Sequence, residues 1–292
     1  MANISMDLVK ELREKTQVGM MDCKKALEQA GGDMEKAIEI LRKKGTAVAA
    51  KRAENATDNG RIESWIAPDF KTGALVEIAC ETDFSANTQD MFDFATHAAQ
   101  IVAKNNATET SVILTQISLK KSTLTVKDHL DELIAKIAEN IKISRTALFK
   151  TGENGLVNAY IHPGSTIGVM VELQADKAIT ATEEIKALAR DICMQIAVTK
   201  PLAVKAEDLD PALVEKERAI AKEQLLISNK PANIIEKIIE GKLNKFYEEV
   251  CLLNQLFIKN DKITIAQHLK EISTKAGANL TIKQFIRFGI GR

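Results

Sequence analysis

The sequence predicts an α+β fold in which an N-terminal bundle of three helices precedes a duplicated antiparallel-sheet core backed by helices, with a helical hairpin protruding from it. Three observations predict this architecture. Apolar residues recur at helical spacing over the first 45 residues, they alternate from residue 60, and the pattern of strand and turn residues repeats 95 residues later. The length of 292 residues and the 45% hydrophobic content suit a substantial core.

The N-terminal helices are predicted from capping residues and glycine stops. Residues that favour N-caps precede the three periodic stretches, namely Ser5, Asp22 and Asp33. Gly31-Gly32 is expected to end the second helix and Gly45 the third. We therefore expect a bundle over residues 1–46, followed by a linker over 47–59 that is rich in small polar residues.

The core is predicted from a strand-turn-strand unit that occurs twice. Arg61–Ile66 alternates in polarity, Pro68-Asp69 marks a turn, and Ala74–Cys80 is the second strand. A shift of 95 residues without a gap superposes Gly155 on Gly60, Pro163 on Pro68, Gly168 on Gly73, and Val171-Glu172-Leu173 on Val76-Glu77-Ile78. Helices are expected behind each copy, at Asp90–Lys104 and Val126–Ile141 in the first and at Thr182–Thr199 in the second. The core should thus comprise two related subdomains, 60–145 and 146–292.

The second subdomain is predicted to carry two additions. Leu213–Ser228 has the pattern of a charged helix, and Pro231 can begin another helix immediately after it. So short a connection favours an antiparallel helical hairpin, over about residues 211–245, that projects from the body. A C-terminal module over about 262–292 is expected to contain a helix, Ile265–Lys275, and a closing strand, Leu280–Phe288.

Charge and composition exclude several classes of protein. Forty basic residues balance forty acidic ones and the pI is near 6.9, so general nucleic-acid binding is not expected. The N-terminus lacks a basic leader followed by an apolar run, and no stretch of 18 apolar residues predicts a membrane span. The four cysteines are far apart without a CxxC pair, which is typical of a reducing compartment. We expect a cytoplasmic protein.

The sequence shows no active site. No phosphate-cradling GxxxxGK[ST] or GxGxxG motif is present, so nucleotide hydrolysis is not expected. The four histidines do not cluster, and we expect neither a metal site nor a cofactor. Cys23 or Cys80 could act as a nucleophile, and the alternative is that both are buried as small hydrophobic residues.

One segment breaks the likeness between the two copies. The strand of the first copy runs into Glu81-Thr82-Asp83-Phe84-Ser85, whereas the second continues as Asp176-Lys177. Thr-Asp-Phe therefore follows the strand in one copy only. On residue types alone, Thr82 or Asp83 would cap the next helix while Phe84 fills the core beneath it. The alternative is a motif specialised for function.

Several motifs, spread from the first dozen residues to the last, resemble the elongation factor Ts family. Met20-Met21-Asp22-Cys23-Lys24-Lys25-Ala26-Leu27, following Leu8-Val9-Lys10-Glu11-Leu12-Arg13, is similar to its N-terminal signature, and Glu81-Thr82-Asp83-Phe84 to its second. Supporting matches are Lys200-Pro201, Glu240-Gly241-Lys242 and Phe285-Ile286-Arg287-Phe288. The resemblance covers essentially the whole chain.

The resemblance implies a function without covalent catalysis. Members are guanine-nucleotide exchange factors for elongation factor Tu, and they bind both its GDP complex and its nucleotide-free form during translation elongation. The N-terminal bundle would be similar to a ubiquitin-associated domain and would contact the GTPase domain. A helical hairpin mediates dimer contacts in some members, so a homodimer is one of the oligomeric states that the resemblance leaves open.

The resemblance also implies site residues. Thr82, Asp83, Phe84 and Ser85 correspond to the segment that disturbs the partner's Mg²⁺ site, with Ser85 where the family has valine. His162 matches a histidine that packs on another domain of the partner, and its alternative is a solvated turn residue. Further expected partner contacts are Lys51, Arg52, Phe285 and Arg287. Leu256 replaces a proline that the family often has, so the loop before the last helix is expected to be freer.

Two other functions stay open at this point. The protein could be a binding adaptor in which the bundle docks a partner and the repeated core is only a scaffold, although the Thr-Asp-Phe asymmetry favours one specialised copy. It could also be a thiol-dependent enzyme that uses Cys23 or Cys80. Release of GDP by small amounts of the protein would separate exchange from the adaptor, and a double serine variant would test the thiol.

Overall fold

The computed structural model of the chain describes residues 4–16, 18–119, 123–226 and 232–291. Its N-terminal bundle contains α1 (Met6–Thr16), α2 (Met20–Gln29) and α3 (Met34–Arg52). The three helices enclose a small apolar core whose centre includes Leu12 and Leu27. The predicted caps Ser5 and Asp33 are confirmed, since they accept hydrogen bonds from the amides of Leu8 and Lys36. The predicted cap Asp22 is wrong, because the N-cap is Gly19 and α2 begins three residues before the predicted start at Cys23.

The core contains two three-stranded antiparallel sheets and a small hairpin. The first sheet has the order β1-β2-β3, with β1 (Asn59–Ile66), β2 (Thr72–Cys80) and β3 (Ile141–Lys150). The second has the order β4-β5-β8, with β4 (Gly155–Ile161), β5 (Ile167–Ala175) and β8 (Leu280–Gly289). The hairpin pairs β6 (Leu256–Phe257) with β7 (Asn260–Thr264).

Eight helices of the core are described. The first subdomain carries α4 (Asp83–Ala86), α5 (Gln89–Asn105), α6 (Thr110–Thr115) and α7 (Val126–Ile137). The second carries α8 (Glu183–Thr199), α9 (Pro211–Leu226), α10 (Ala232–Val250) and α11 (Ile265–Ala276). None of the helices within the described ranges is long and apolar enough to cross a membrane.

The structure confirms the duplication that the 95-residue repeat predicts. At that shift β2 coincides with β5 over its whole length, and a register irregularity follows Glu77 in one copy and Glu172 in the other. Both α5 and α8 contain 17 residues and begin after a threonine N-cap, Thr88 and Thr182. The two copies therefore share a β-β-α-β framework and differ in the segments inserted between the helix and the last strand.

The sheets pack face to face, with helices on both outer faces. Alternate residues of β2, such as Ala74 and Val76, enter the core beneath α5, while Leu75 between them points to the other sheet. The middle strands are thus buried on both faces, and their sequences are largely apolar rather than alternating, although each has a buried glutamate, Glu77 or Glu172. Gly73 and Gly168 lie where the sheets come closest, since an added Cβ would be 2.6 Å from Val157 Cγ1 and 2.4 Å from Ile62 Cγ2 respectively.

A reciprocal pair of hydrogen bonds relates the two copies by an approximate two-fold axis. The amide of Ile62 donates to the carbonyl of Ser165 at 2.8 Å, and the amide of Val157 donates to that of Phe70 at 2.7 Å. Each donor and each acceptor is matched by the residue 95 positions away. Phe70 and Ser165 both adopt left-handed backbone conformations, with φ values of 58° and 53°. The turn of each copy is therefore fastened to the first strand of the other.

Two predicted helix ends are wrong. The third helix passes through Gly45 and ends at Arg52, so the expected linker over 47–59 is helical over its first half. Gly45 lies where α3 packs closely on α7, since a Cβ there would be 3.1 Å from Ala135 Cβ. The helix predicted to reach Ile141 ends at Ile137, because Ala138 adopts a left-handed conformation. The expected boundary between residues 145 and 146 consequently falls inside β3.

The helices of the predicted hairpin and the helix and strand expected in the C-terminal module are present. Ala221 and Leu225 of α9 pack on Ile239 and Leu243 of α10, and α10 continues to Val250, beyond the expected end near 245. Ser228 and Pro231, the expected boundaries of the connection, lie outside the described residues. The last helix and strand are confirmed, each extending one residue beyond its predicted end.

Candidate functional site

Residues 81–88, which we call the tip loop, connect β2 to α5 and present an aromatic side chain to solvent. Thr82 leaves the strand in an extended conformation, and its Oγ1 accepts a hydrogen bond from the amide of Ser85 at 3.2 Å. This cap starts the single turn α4, and Phe84 on that turn is 82% exposed. The predicted capping role of Thr82 is confirmed. The interpretation of Phe84 as a core residue is wrong.

The second copy has an apolar residue at the position that the repeat aligns with Phe84. The 95-residue shift places Ile179 on Phe84, and Ile179 is partly buried against the core of its own subdomain. Residues 176–182 form no counterpart of α4, and Ile179 reaches inward from them. The structure turns the larger Phe84 outward, although its exposure forgoes the free energy of burial.

The other motif residues divide between the surface and the interior. Asp83 is exposed beside Phe84, and its backbone carbonyl accepts a hydrogen bond from Asn87 Nδ2 at 2.9 Å. Ser85 is only 2% exposed. The expected place of Ser85 in the segment that acts on the partner's Mg²⁺ site stays a prediction. The small hydroxymethyl group fits under the turn, and the outward surface of the motif consists of Thr82, Asp83 and Phe84.

Glu81 anchors the base of the tip loop. Its Oε1 accepts hydrogen bonds from the Asn140 amide at 2.5 Å, Asn55 Nδ2 at 3.0 Å and Arg52 NH1 at 3.2 Å. These donors, the Asn140 amide foremost, hold the pKa of Glu81 below its ordinary value. Arg52 thus fastens the end of α3 to the loop, and its expected contact with a partner stays a prediction. Lys51, one residue earlier, is exposed.

A polar chain joins the tip loop to the turn of the second copy. Arg61 NH1 donates to the carbonyl of Ala86 at 3.1 Å, and Arg61 Nε donates to Glu63 Oε1 at 2.7 Å. The same carboxylate oxygen accepts from Ser165 Oγ at 3.1 Å. The Arg61 guanidinium also lies over the ring of Phe92, 5.0 Å from its centroid. No role was predicted for these residues from the sequence. The opposite charges of Arg61 and Glu63, two positions apart on one face of the strand, were the signal that could have found them.

His162 lies in that same turn. It is exposed, and its Nδ1 is 3.0 Å from the hydroxyl of Tyr160. Its amide donates to the carbonyl of Ile167, which closes the turn. The structure therefore places His162 on an element that is linked through Ser165 to the tip loop. The expected contact of the ring with a partner stays a prediction.

Phe285 and Arg287 belong to a different part of the molecule. Both lie on β8, where Phe285 is partly buried against the second core. Arg287 Nε donates to the carbonyl of Ala197, near the end of α8, at 3.3 Å. These contacts give both residues a role within the fold. Their expected contact with a partner stays a prediction.

The cysteines are buried, which opposes the thiol hypothesis. Cys23 and Cys80 each have a relative exposure of 0%. Burial, with a smaller contribution from the charge of Glu139, raises the pKa of Cys80 to about 11. Catalytic thiols need the opposite conditions, namely access and a lowered pKa. Within the described ranges, no three His, Cys, Asp or Glu side chains are grouped so that they could hold a metal ion.

The chain is similar to known proteins over nearly its full length. A family model described as "Elongation factor TS" matches residues 81–292. A protein named elongation factor Ts from Nautilia profundicola is 43% identical over 295 residues, which cover 100% of this chain and 94% of that protein. The elongation factor Ts of Clostridium perfringens is 43% identical, over 99% of this chain and 93% of that protein. The one from Nitratidesulfovibrio vulgaris is 40% identical, over 99% of this chain and 96% of that protein.

Proposed function

The chain belongs to the elongation factor Ts family, and we propose that it is a guanine-nucleotide exchange factor that promotes the release of GDP from elongation factor Tu, so that GTP can bind. Family membership makes it a translation elongation factor. The observation that carries the proposed mechanism is the 82% exposure of Phe84 on a turn held by Thr82. We place its action in the cytoplasm, where translation proceeds.

The exposed ring is suited to act as an apolar wedge. Phe84 is already extended into solvent, so it can enter a gap in the GTPase without unfolding its own subdomain. Burying such a side chain fully in a partner contributes roughly 1.5–3 kcal/mol. This free energy is available only in the complex, and it can stabilise a conformation of the GTPase in which the elements around the phosphates are displaced.

The expected target of the displacement is the Mg²⁺ ion of the bound nucleotide. Mg²⁺ requires near-ideal octahedral geometry, so a small movement of the elements that support it weakens its coordination. Because the metal neutralises the phosphates, its loss weakens GDP binding as well. Asp83, exposed beside the wedge, is proposed to accept hydrogen bonds from partner groups and to hold the ring in place.

Exchange of this kind needs no covalent step in this chain. The protein must bind the nucleotide-free GTPase more tightly than the GDP complex. By linkage, the factor by which it weakens GDP binding equals the factor by which GDP weakens its own binding. Affinity and register are proposed to come from the rest of the surface, which includes Lys51, Arg52, the turn at His162 and the segment that contains Phe285 and Arg287. A homodimer formed through the α9-α10 hairpin stays a prediction.

The test is release of fluorescent GDP from purified elongation factor Tu, followed after mixing with a small fraction of an equivalent of this chain and an excess of unlabelled GDP. An exchange factor should release many equivalents of nucleotide, and added Mg²⁺ should slow the release. Release that never exceeds the amount of added chain would favour the adaptor alternative. A rate equal to that without the chain would refute the proposed function.

A further inference from the structure

The tip loop is held mainly by hydrogen bonds, since only the small side chain of Ala86 anchors it in the apolar core. Its largest side chain, Phe84, points away from the protein. The helix α4 has only 4 residues, which is far too short to be stable by itself. The direction in which Phe84 points therefore depends on what fixes Thr82, the residue that starts the turn.

One carboxylate fixes Thr82 at two points. The amide of Thr82 donates to Glu139 Oε2 at 3.1 Å, and its Oγ1 donates to Glu139 Oε1 at 2.7 Å. Since the hydroxyl proton goes to Glu139, the lone pairs of Oγ1 face the amide of Ser85, which donates to it. Charge-assisted hydrogen bonds of this kind are about twice as strong as neutral ones. Glu139 thus sets both the backbone and the side-chain conformation of the cap.

The position of Glu139 follows from the pairing of the strands. Cys80, at the end of β2, pairs with Ile141, at the start of β3. Continuing this antiparallel register by two residues in each direction places residue 139 opposite residue 82. The left-handed conformation of Ala138 ends α7 and directs the chain into this position. The contact is therefore built into the sheet and does not depend on a chance approach of surface side chains.

The second copy separates what is structural from what is special. In each copy, the backbone amide of the asparagine just before the last strand donates a hydrogen bond to the acidic side chain just after the middle strand. Asn140 donates to Glu81, and Asn279 donates to Asp176 at 3.0 Å. This bond is present in the copy that has no exposed aromatic, so we regard it as part of the common framework.

The carboxylate contact has no such counterpart. Ala175 pairs with Leu280 as Cys80 pairs with Ile141, so Lys177 and Ala278 hold the places of Thr82 and Glu139. Ala278 is buried and has no carboxylate to offer. The contact between Thr82 and Glu139 therefore belongs only to the copy whose apolar residue is turned outward.

We propose that Glu139 is a positioning residue for nucleotide exchange, which holds Thr82 so that Phe84 projects in the orientation that enters the GTPase. The inference rests on the proposed function and names a residue outside the motif. Glu139 acts through Thr82 and need not touch the nucleotide or its metal. Its loss should therefore lower the rate of nucleotide release from the complex more than it lowers the affinity of the two proteins.

The first experiment compares the full-length wild type with Glu139→Ala and Glu139→Gln. With elongation factor Tu carrying fluorescent GDP, Glu139→Ala should reduce the maximal release rate about tenfold, because two hydrogen bonds to a charged group are lost. Glu139→Gln keeps one acceptor oxygen and should lose less. The control is Asp176→Ala, which removes the framework bond of the second copy and should leave the release rate unchanged.

A double variant tests whether Glu139 acts through the wedge. If it does, Glu139→Ala should change the rate by less than about twofold in a Phe84→Ala background. An equal loss in both backgrounds would overturn the inference. So would an unchanged rate in both Glu139 variants. A loss in Glu139→Ala that Asp176→Ala reproduces would also overturn it, since the effect would then be general destabilisation.

Amide hydrogen exchange tests the positioning without the partner. The amides of Ser85 and Asn87 should exchange at least about tenfold faster in Glu139→Ala, while amides of the β2-β3 ladder keep the wild-type rate. Should the wild type fail to accelerate GDP release, the proposed function falls, and faster exchange at Ser85 would still support the positioning. Unchanged exchange at Ser85 would overturn the positioning whatever the release assay shows.

Discussion

Replacing Phe84 with alanine should separate function from stability, because the ring projects from the fold. The side chain is 82% exposed, so the fold retains about a fifth of the roughly 1.5–3 kcal/mol that full burial would contribute. The free energy of unfolding should therefore fall by less than about 0.6 kcal/mol. The cost should appear in the complex, where the ring is expected to be buried.

The functional cost can be bounded from interface energetics. Truncation of a central aromatic at an interface costs roughly 2–4 kcal/mol at most. This corresponds to a decrease of roughly 30- to 1,000-fold in the second-order rate constant for GDP release. Stopped-flow fluorescence of labelled GDP measures that constant, and urea denaturation followed by circular dichroism measures the stability of the same samples.

The chain provides a matched control at the equivalent position of the second copy. Ile179 is partly buried against its core, so Ile179→Ala should lower the free energy of unfolding by about 1–2 kcal/mol. Its rate of GDP release should stay within about twofold of the wild type, since the second copy has no wedge. The two variants should thus show opposite patterns. A Phe84→Ala variant that loses stability but releases GDP normally would assign the ring to the core and refute the reasoning.

Three further predictions concern the sheet contact, the anchor and the acid of the tip loop. Gly168→Ala should destabilise the protein by about 1–3 kcal/mol in urea denaturation, since its Cβ would lie 2.4 Å from Ile62 Cγ2. The control is Gly241→Ala in the helix α10, where an added Cβ would have no atom within 4 Å. This variant should stabilise the protein by up to about 1 kcal/mol. Because the pKa of Glu81 is lowered in the fold, its contribution to stability is present above about pH 4.3 and is lost as the pH falls through the lowered pKa. Glu81→Gln should therefore be less stable than the wild type at pH 7, with a difference that shrinks towards pH 3; a constant difference would contradict this. Asp83→Ala should weaken complex formation in titration calorimetry, and an unchanged affinity would remove Asp83 from the site.

The sequence predicted the duplicated framework because its signals are local and occur twice. The repeat indicated strands β2 and β5 and superposed Gly168 on Gly73, and the helix at Thr182–Thr199 was expected behind the second copy. That both glycines lie in the contact between the sheets was not expected. The strand β3 was missed, because a helical pattern runs into it and only the conformation of Ala138 separates the two. A glycine is normally a good signal for the end of a helix, but at Gly45 this signal was misleading. Gly45 lies inside α3 at the contact with α7, and α7 is far away in the sequence.

The candidate site was predictable only in part. The motif at Thr82, Asp83 and Phe84 stood out because one copy has it and the other does not. Its direction could not be deduced, since a phenylalanine after a strand more often fills the core. Glu139 gave no signal at all, because its role arises from the pairing of Cys80 with Ile141, and that strand had not been predicted.

The symmetry of the core explains why only one copy could specialise without cost to the other. The hydrogen bonds that cross between the copies, from Ile62 to Ser165 and from Val157 to Phe70, constrain the turns and the first strands in matched pairs. A change at any of these positions would disturb both copies. The segment after the middle strand makes none of these backbone hydrogen bonds, and its link to the other copy runs from the Ala86 carbonyl through the Arg61 and Glu63 side chains to Ser165. Changes at its exposed residues therefore remain local. Turning an apolar side chain outward there forgoes at most about 3 kcal/mol of burial, and the hydrogen bonds from Thr82 to Glu139 can offset part of that loss while leaving the ring available to a partner.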